Sequence, residues 1–147
     1  MTDRLELADL VATYARCVDR KDPAGVAACF APDGVLRRID LPSGGSLLGE
    51  RTGRDEITQA ISRMPYHSTF HFLGQQQIDI TGDTASGETY CIAHHLTVPE
   101  DGSPSTDFIM FIRYQDEFVR LAEGWRFAGR ELHIDWTETR PAECVQS

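Results

Sequence analysis

The chain has 147 residues, 41% of them hydrophobic and 25% charged, a balance that fits one ordinary globular domain spanning 1–147. Its 14 Lys and Arg against 23 Asp and Glu give a formal charge of −9, with the acidic side chains scattered along the chain, which argues against nucleic acid and anionic membrane as partners. No apolar run approaches the roughly 20 residues of a membrane span, and Met1-Thr-Asp-Arg begins polar with no signal-peptide core behind it, so a cytoplasmic protein is expected.

Between Asp3 and Arg20, Leu7, Leu10, Val11, Tyr14 and Val18 recur at spacings of three and four, the stripe of an amphipathic helix. Asp19 falls on the border of that stripe, where a carboxylate near a helix end opposes the macrodipole; it is either a solvated end residue or a placed one. Asp22 as N-cap and Pro23 at the first helical position open a short second helix that Ala31-Pro-Asp-Gly34 stops. Val35 to Ile39 reads as a strand and Leu41 to Gly53, rich in Gly, Pro and Ser, as a loop or irregular hairpin. A third helix, Arg54 to Ser62, is capped in this reading by Thr52.

Beyond residue 66 the texture changes to long strands with brief turns: Thr69–Ile80, Ala85–Val98, Ser105–Leu121 and Trp125–Trp136. Four strands in succession make an antiparallel meander, and with three helices before them the pattern is α+β. Alternation in the first long strand puts Thr69, His71 and Leu73 on one face and Phe70, Phe72 and Gly74 on the other. His71, alone among apolar and uncharged neighbours, is either a satisfied core residue or a base in a closed pocket. Gly87, Thr89, Cys91, Ala93 and His95 form a row of small side chains ending in an imidazole, opposite Phe108, Met110, Ile112 and Tyr114, and that pairing favours a cavity. Ile109 and Phe111 make the far face apolar as well, which predicts a homodimer through the sheet.

Cys17, Cys29, Cys91 and Cys144 show no CxxC pair and are read as free thiols. The adjacent His94 and His95 point to opposite faces of a strand, so no metal site is expected. There is no glycine-rich phosphate loop and no G-x-S-x-G elbow.

Several stretches together resemble the SnoaL-like branch of the nuclear-transport-factor-2-like superfamily: Tyr14-Ala-Arg-Cys-Val-Asp19-Arg-Lys-Asp22, Phe30-Ala-Pro-Asp33-Gly, Thr69-Phe-His71-Phe-Leu-Gly74, Gly82-Asp83-Thr-Ala85, Tyr114-Gln-Asp116-Glu-Phe-Val-Arg120, Gly124-Trp-Arg-Phe-Ala-Gly-Arg130 and Asp135-Trp136. The resemblance implies a cone-shaped α+β barrel: three N-terminal helices on a strongly curved, mixed but mainly antiparallel sheet, with an apolar pocket and a dimer packed through the sheet. The pattern is closest to scytalone dehydratase, hexachlorocyclohexane dehydrochlorinase and bile-acid 7α-dehydratase, which pair an aspartate ending helix one with a histidine opening the first long strand. Asp19 and His71 stand at those positions. Tyr14 matches a tyrosine of the bile-acid enzyme and His95 a second histidine of scytalone dehydratase, whereas the latter's first-strand tyrosine has no match near Arg37-Arg38 and its polar serine and asparagine fall on Phe108 and Met110.

The resemblance therefore implies a lyase or isomerase that needs no cofactor. His71 would take a proton from carbon, Asp19 would hold its other nitrogen, and Tyr14, His95, Phe108, Met110 and Tyr114 would line the pocket of a small hydrophobic substrate, with His95 or Tyr114 as acid. Two other functions fit the same fold: a binding protein for a hydrophobic metabolite, and the structural small subunit of an aromatic-ring dioxygenase.

Overall fold

In the computed structural model, which describes residues 2–40 and 43–145, the first helix forms where the apolar stripe predicts it. Helix α1 runs Asp3–Asp19, its N-terminus capped by the Thr2 hydroxyl, which accepts from the Leu5 N–H at 3.3 Å, with Asp3 and Glu6 favourably placed in the first turn. It buries Leu7, Leu10, Val11, Tyr14, Ala15 and Val18. Helix α2, Pro23–Ala28, begins as read from the sequence, with the Asp22 carboxylate accepting from Gly25 N–H at 3.0 Å.

Two local readings change, and between the loop and the irregular hairpin the structure takes the hairpin. Ala31-Pro-Asp-Gly34 does not stop the chain but forms an irregular stretch inside strand β1, Phe30–Asp40; between its pairing of Phe30 with Phe127 and of Val35 with Gly129 the register shifts. The Gly-rich stretch becomes a hairpin, since Gly44 and Gly45 take φ of 83° and 87° and turn the chain into strand β2, Ser46–Thr52, while Leu41 and Pro42 lie outside the described residues. Helix α3, Arg54–Ser62, starts from Gly53 with no side-chain cap; instead of Thr52 capping, the Glu56 carboxylate reaches back to the Thr52 N–H at 2.6 Å.

Strands β3 (Ser68–Thr81), β4 (Thr84–Thr97), β5 (Thr106–Leu121) and β6 (Gly124–Pro141) form the expected meander, and β1 adds parallel to β6. The order β2-β1-β6-β5-β4-β3 gives a six-stranded mixed sheet, curved and unclosed, with β2 and β3 as its edges. β6 is longer than the sequence reading because Thr137 to Pro141, though polar, pair with the start of β5. All four cysteines are free thiols.

A buried ion pair fills the centre of the concave face. Arg130 donates from Nε and Nη2 to the two carboxylate oxygens of Asp116 at 2.8 and 3.1 Å, and both side chains are wholly shielded from solvent. The guanidinium carbon lies 3.6 Å from the Tyr114 ring centre, 4.3 Å from that of Tyr14 and 4.4 Å from that of Phe127. This is also where the row of small residues on β4 is used. Gly87 faces Asp116 and Thr89 faces Tyr114 across β4 and β5, and a Cβ on Gly87 would sit 3.2 Å from both Ile78 Cγ1 and the Phe118 ring. The small side chains make room for a packed core, and of the row only His95 reaches the cavity.

Breaking such a pair strands a charge in the core. Asp116→Ala or Arg130→Ala should cost about 3–5 kcal/mol, whereas Asp116→Leu with Arg130→Met should recover much of that loss. Urea unfolding of the three variants checks the contrast between one-sided and paired removal.

Candidate active site

Asp19 is the last residue of α1 and His71 the fourth of β3, and the Asp19 carboxylate ties the two elements together. Oδ1 lies 2.6 Å from His71 Nδ1 and accepts the Thr69 hydroxyl at 2.9 Å; Oδ2 accepts the His71 backbone N–H at 3.0 Å. Thr69 and His71 share a face of β3 by alternation, which is why one carboxylate engages both. Burial pushes the Asp19 carboxyl up, but the bonds from the His71 ring, the His71 N–H and Thr69 more than offset this and leave it below the ordinary value. With Nδ1–H given to a carboxylate, the lone pair of His71 sits on Nε2. The imidazole is only 6% exposed and borders the cavity.

That cavity has a volume of about 630 Å³. Val18, Ile61, Met64, Met110, Ile112 and Leu132 supply its apolar wall, and His71 and His95 its imidazoles, with ring centres 6.1 Å apart. The backbone carbonyl of Phe108 lies 2.9 Å from His95 Nδ1, so this ring also keeps its proton on Nδ1 and turns an acceptor nitrogen outward. Burial pulls the His95 pKa below its ordinary 6.5, against the opposing effect of that carbonyl, and the ring is neutral near pH 7.

Of the residues expected to line the pocket, Tyr14, His95 and Met110 do so and Phe108 and Tyr114 do not. Phe108 packs behind His95, with ring centres 5.9 Å apart. Tyr114 is wholly buried under Arg130, its hydroxyl without a hydrogen-bond partner, and burial holds its pKa well above 10. Neither it nor Tyr14, pushed up to about 12 by burial, is suited to give up a proton, and a neutral His95 with a bare Nε2 is an acceptor rather than the acid read from the sequence.

Other lining residues escaped the sequence reading: Arg38, Arg51 and Arg63, with Glu56, Gln59 and Tyr66. Reading residues 41–53 as a loop or irregular hairpin left the register of β2 undefined, and β2 carries Gly49 to Arg51 to the cavity. The useful signal was alternation in β1, where Leu36 and Arg38 share the cavity face. Among the described residues no group of three or more His, Cys, Asp or Glu could hold a metal ion, and no helix is long and apolar enough to cross a membrane.

Three helices on a curved, unclosed mixed sheet, with a helix-end carboxylate bonded to an imidazole at the cavity, define an α+β fold built around a pocket. Residues 1–131 match the SnoaL-like domain, and the chain belongs to that family. It is 27% identical over 131 residues to the uncharacterized protein Rv2910c of Mycobacterium tuberculosis, spanning 88% of this chain and 84% of that one. Two crystal structures from Novosphingobium aromaticivorans are similar: a candidate aromatic ring hydroxylase (25% identity, TM-score 0.77, 95% and 93% of the two chains) and a candidate scytalone dehydratase (24%, 0.71, 95% and 87%). The hexachlorocyclohexane dehydrochlorinase LinA-type3 of Novosphingobium barchaimii shares the fold at 16% identity, with TM-score 0.73 over 99% and 96% of the chains.

His95 gives a signed pH dependence. A histidine whose folded pKa is depressed contributes stability that is complete above the ordinary value of 6.5 and is lost as pH falls from there toward the folded pKa. Thermal unfolding from about pH 7.5 down to about pH 5 should show a loss on acidification that is smaller in His95→Gln.

Proposed function

We propose that the protein is a dehydratase-like lyase or isomerase that acts without a cofactor on a small, largely apolar molecule, with His71 as general base. The observation that carries this reading is the contact of 2.6 Å between Asp19 and His71 Nδ1, which leaves Nε2 as a base at a cavity with an apolar wall. The similarity to a dehydrochlorinase and to a candidate scytalone dehydratase supports the same reaction class.

In an elimination, Nε2 takes a proton from a carbon beside an activating group, the C–H electron pair becomes the new double bond, and the leaving group departs with its own bonding pair. A halide leaves as the anion; a hydroxyl takes a proton from the imidazolium and leaves as water. In an isomerisation the same nitrogen returns its proton to another carbon. Asp19 fixes the tautomer and stabilises the imidazolium, which an apolar wall would otherwise penalise. His95, accepting through Nε2, orients a substrate hydroxyl.

For any substrate found by proton NMR in a panel of apolar compounds with a leaving group beside an acidic C–H, His71→Gln should lower kcat by about 10²–10⁴-fold and Asp19→Asn by a comparable factor. The double variant should be hardly slower than His71→Gln, because the two residues act as one unit. Full activity in Asp19→Asn, or losses that multiply, would overturn the assignment.

The protein also forms, in this proposal, a homodimer through the convex face. Strand register aligns Phe72, Ile92, Phe111 and Trp136 in one row across β3 to β6, and Phe70, Phe72 and Trp136 are each more than half exposed in the single chain. Ile109, expected from the sequence to be part of this surface, is 1% exposed without a partner, since it stands between His94 and Glu138 in the next row. Sedimentation at micromolar concentration should give a dimer, and Phe72→Asp with Trp136→Asp a monomer that retains its fold.

A further inference from the structure

In a chain with a net charge of −9, basic side chains without a carboxylate partner need a reason to gather. Most of the basic residues here are engaged: Arg37, Arg113, Arg120, Arg130 and Arg140 in ion pairs, and Arg4, Arg54 and Arg126 on backbone carbonyls. Among the described residues Arg38, Arg51 and Arg63 have no ion pair, nor have Arg16, Arg20 and Lys21, but of these six it is the first three that border the cavity. All three are exposed, all three border the cavity from three different elements, and no carboxylate of the described residues lies within ion-pair distance of any of them.

Two acids, Glu50 and Glu56, border the same cavity, and each has a hydrogen-bond partner elsewhere. Glu50 is held by Arg37 Nε at 2.5 Å and Glu56 by the Thr52 N–H at 2.6 Å. Arg51 makes one bond, from Nη1 to the Glu50 carbonyl at 2.8 Å, and keeps its remaining donors. Arg38 is seated by backbone geometry: it pairs with Gly49 across β1 and β2, and a Cβ on Gly49 would lie 3.5 Å from its Nη2 and 3.6 Å from its Nε. The guanidinium thus lies against β2 at the cavity, within van der Waals reach of Gly49. Guanidinium groups bind carboxylate, sulfonate or phosphate oxygens through paired N–H donors, and the three arginines outnumber the two carboxylates, Glu50 and Glu56, on the same lining.

Building on the proposal of an apolar substrate in this cavity, we infer that the ligand is an amphipathic anion. Its apolar body packs against Met64, Met110, Ile112 and Leu132, and its acidic group stays at the opening on Arg38, Arg51 and Arg63. The arginines bind and steer the ligand and take no part in bond making. The reacting carbon lies at the His71 end, away from the acidic group.

The test uses two fluorescent probes that differ by one acidic group, 8-anilinonaphthalene-1-sulfonate and neutral N-phenyl-1-naphthylamine, titrated with the full chain. At low salt the sulfonate should bind about tenfold more tightly than the neutral probe, the sum expected of three exposed charge contacts. The preference should shrink at about 0.5 M salt, disappear in the Arg38→Gln, Arg51→Gln, Arg63→Gln triple variant, and survive removal of charge elsewhere at Arg16 and Arg140. All five substituted positions are exposed, so unchanged thermal unfolding verifies the fold. His71→Gln should keep the preference, which separates a failure of the catalytic reading from a failure of this one. Equal affinities, no binding of the sulfonate at micromolar concentration, or a preference that persists in the triple variant would overturn the inference.

Discussion

The bond between Arg130 and Asp116 sets the geometry on which the rest of the molecule rests. A guanidinium buried this deeply is tolerable only if its charge is met and its faces are covered, and here one carboxylate and three aromatic rings do both. One of those rings, Tyr14, belongs to α1. Its place against Arg130 fixes how the helix lies on the sheet, and little more than a turn later the same helix ends in Asp19 beside His71. The centre of the fold and the candidate dyad are thus joined by one helix. Nη1 of Arg130 and the Tyr114 hydroxyl remain without hydrogen bonds inside this cluster, so the arrangement depends on the paired bonds to Asp116.

Around the cavity, electrostatics and packing divide the work between two ends. At the inner end the Asp19 carboxylate is fully supplied with donors, and the two rings hold their protons on Nδ1 and present Nε2. That end is built to accept protons. Elsewhere on the lining the exposed Arg38, Arg51 and Arg63 add guanidinium donors beside the carboxylates of Glu50 and Glu56. For the ligand proposed above, such a lining would set one direction of binding, and orientation of this kind is what a proton transfer from carbon requires.

The two faces of the sheet are used in different ways. Inside, small residues on β4 accept the bulk of β5 and β6, which closes the narrow end of the cone and leaves the cavity at the wide end beneath α3. Outside, an aromatic and aliphatic row runs across four strands with Phe111 stacked on Trp136 at 4.3 Å. One period-two pattern carries both surfaces, since each strand alternates between them.

Periodicity and turn chemistry were enough to define the three helices, the four-stranded meander and the α+β class, because these signals are local in the chain. The match of motif at Asp19 and His71 singled out the pair that the tertiary structure brings to 2.6 Å. What stayed hidden depended on register and curvature. β2 lacks apolar alternation and exists because it pairs with β1; Tyr114 and Arg38 each look like one more residue on a strand, and only the bend of the sheet sends the first into the core and the second to the cavity. The Arg130 pair joins residues on neighbouring strands through a register that a bulge shifts between Glu117 and Phe118. A sequence specifies which side chains share a face, but which of those faces is filled and which is left open is decided by the volumes that meet there after folding.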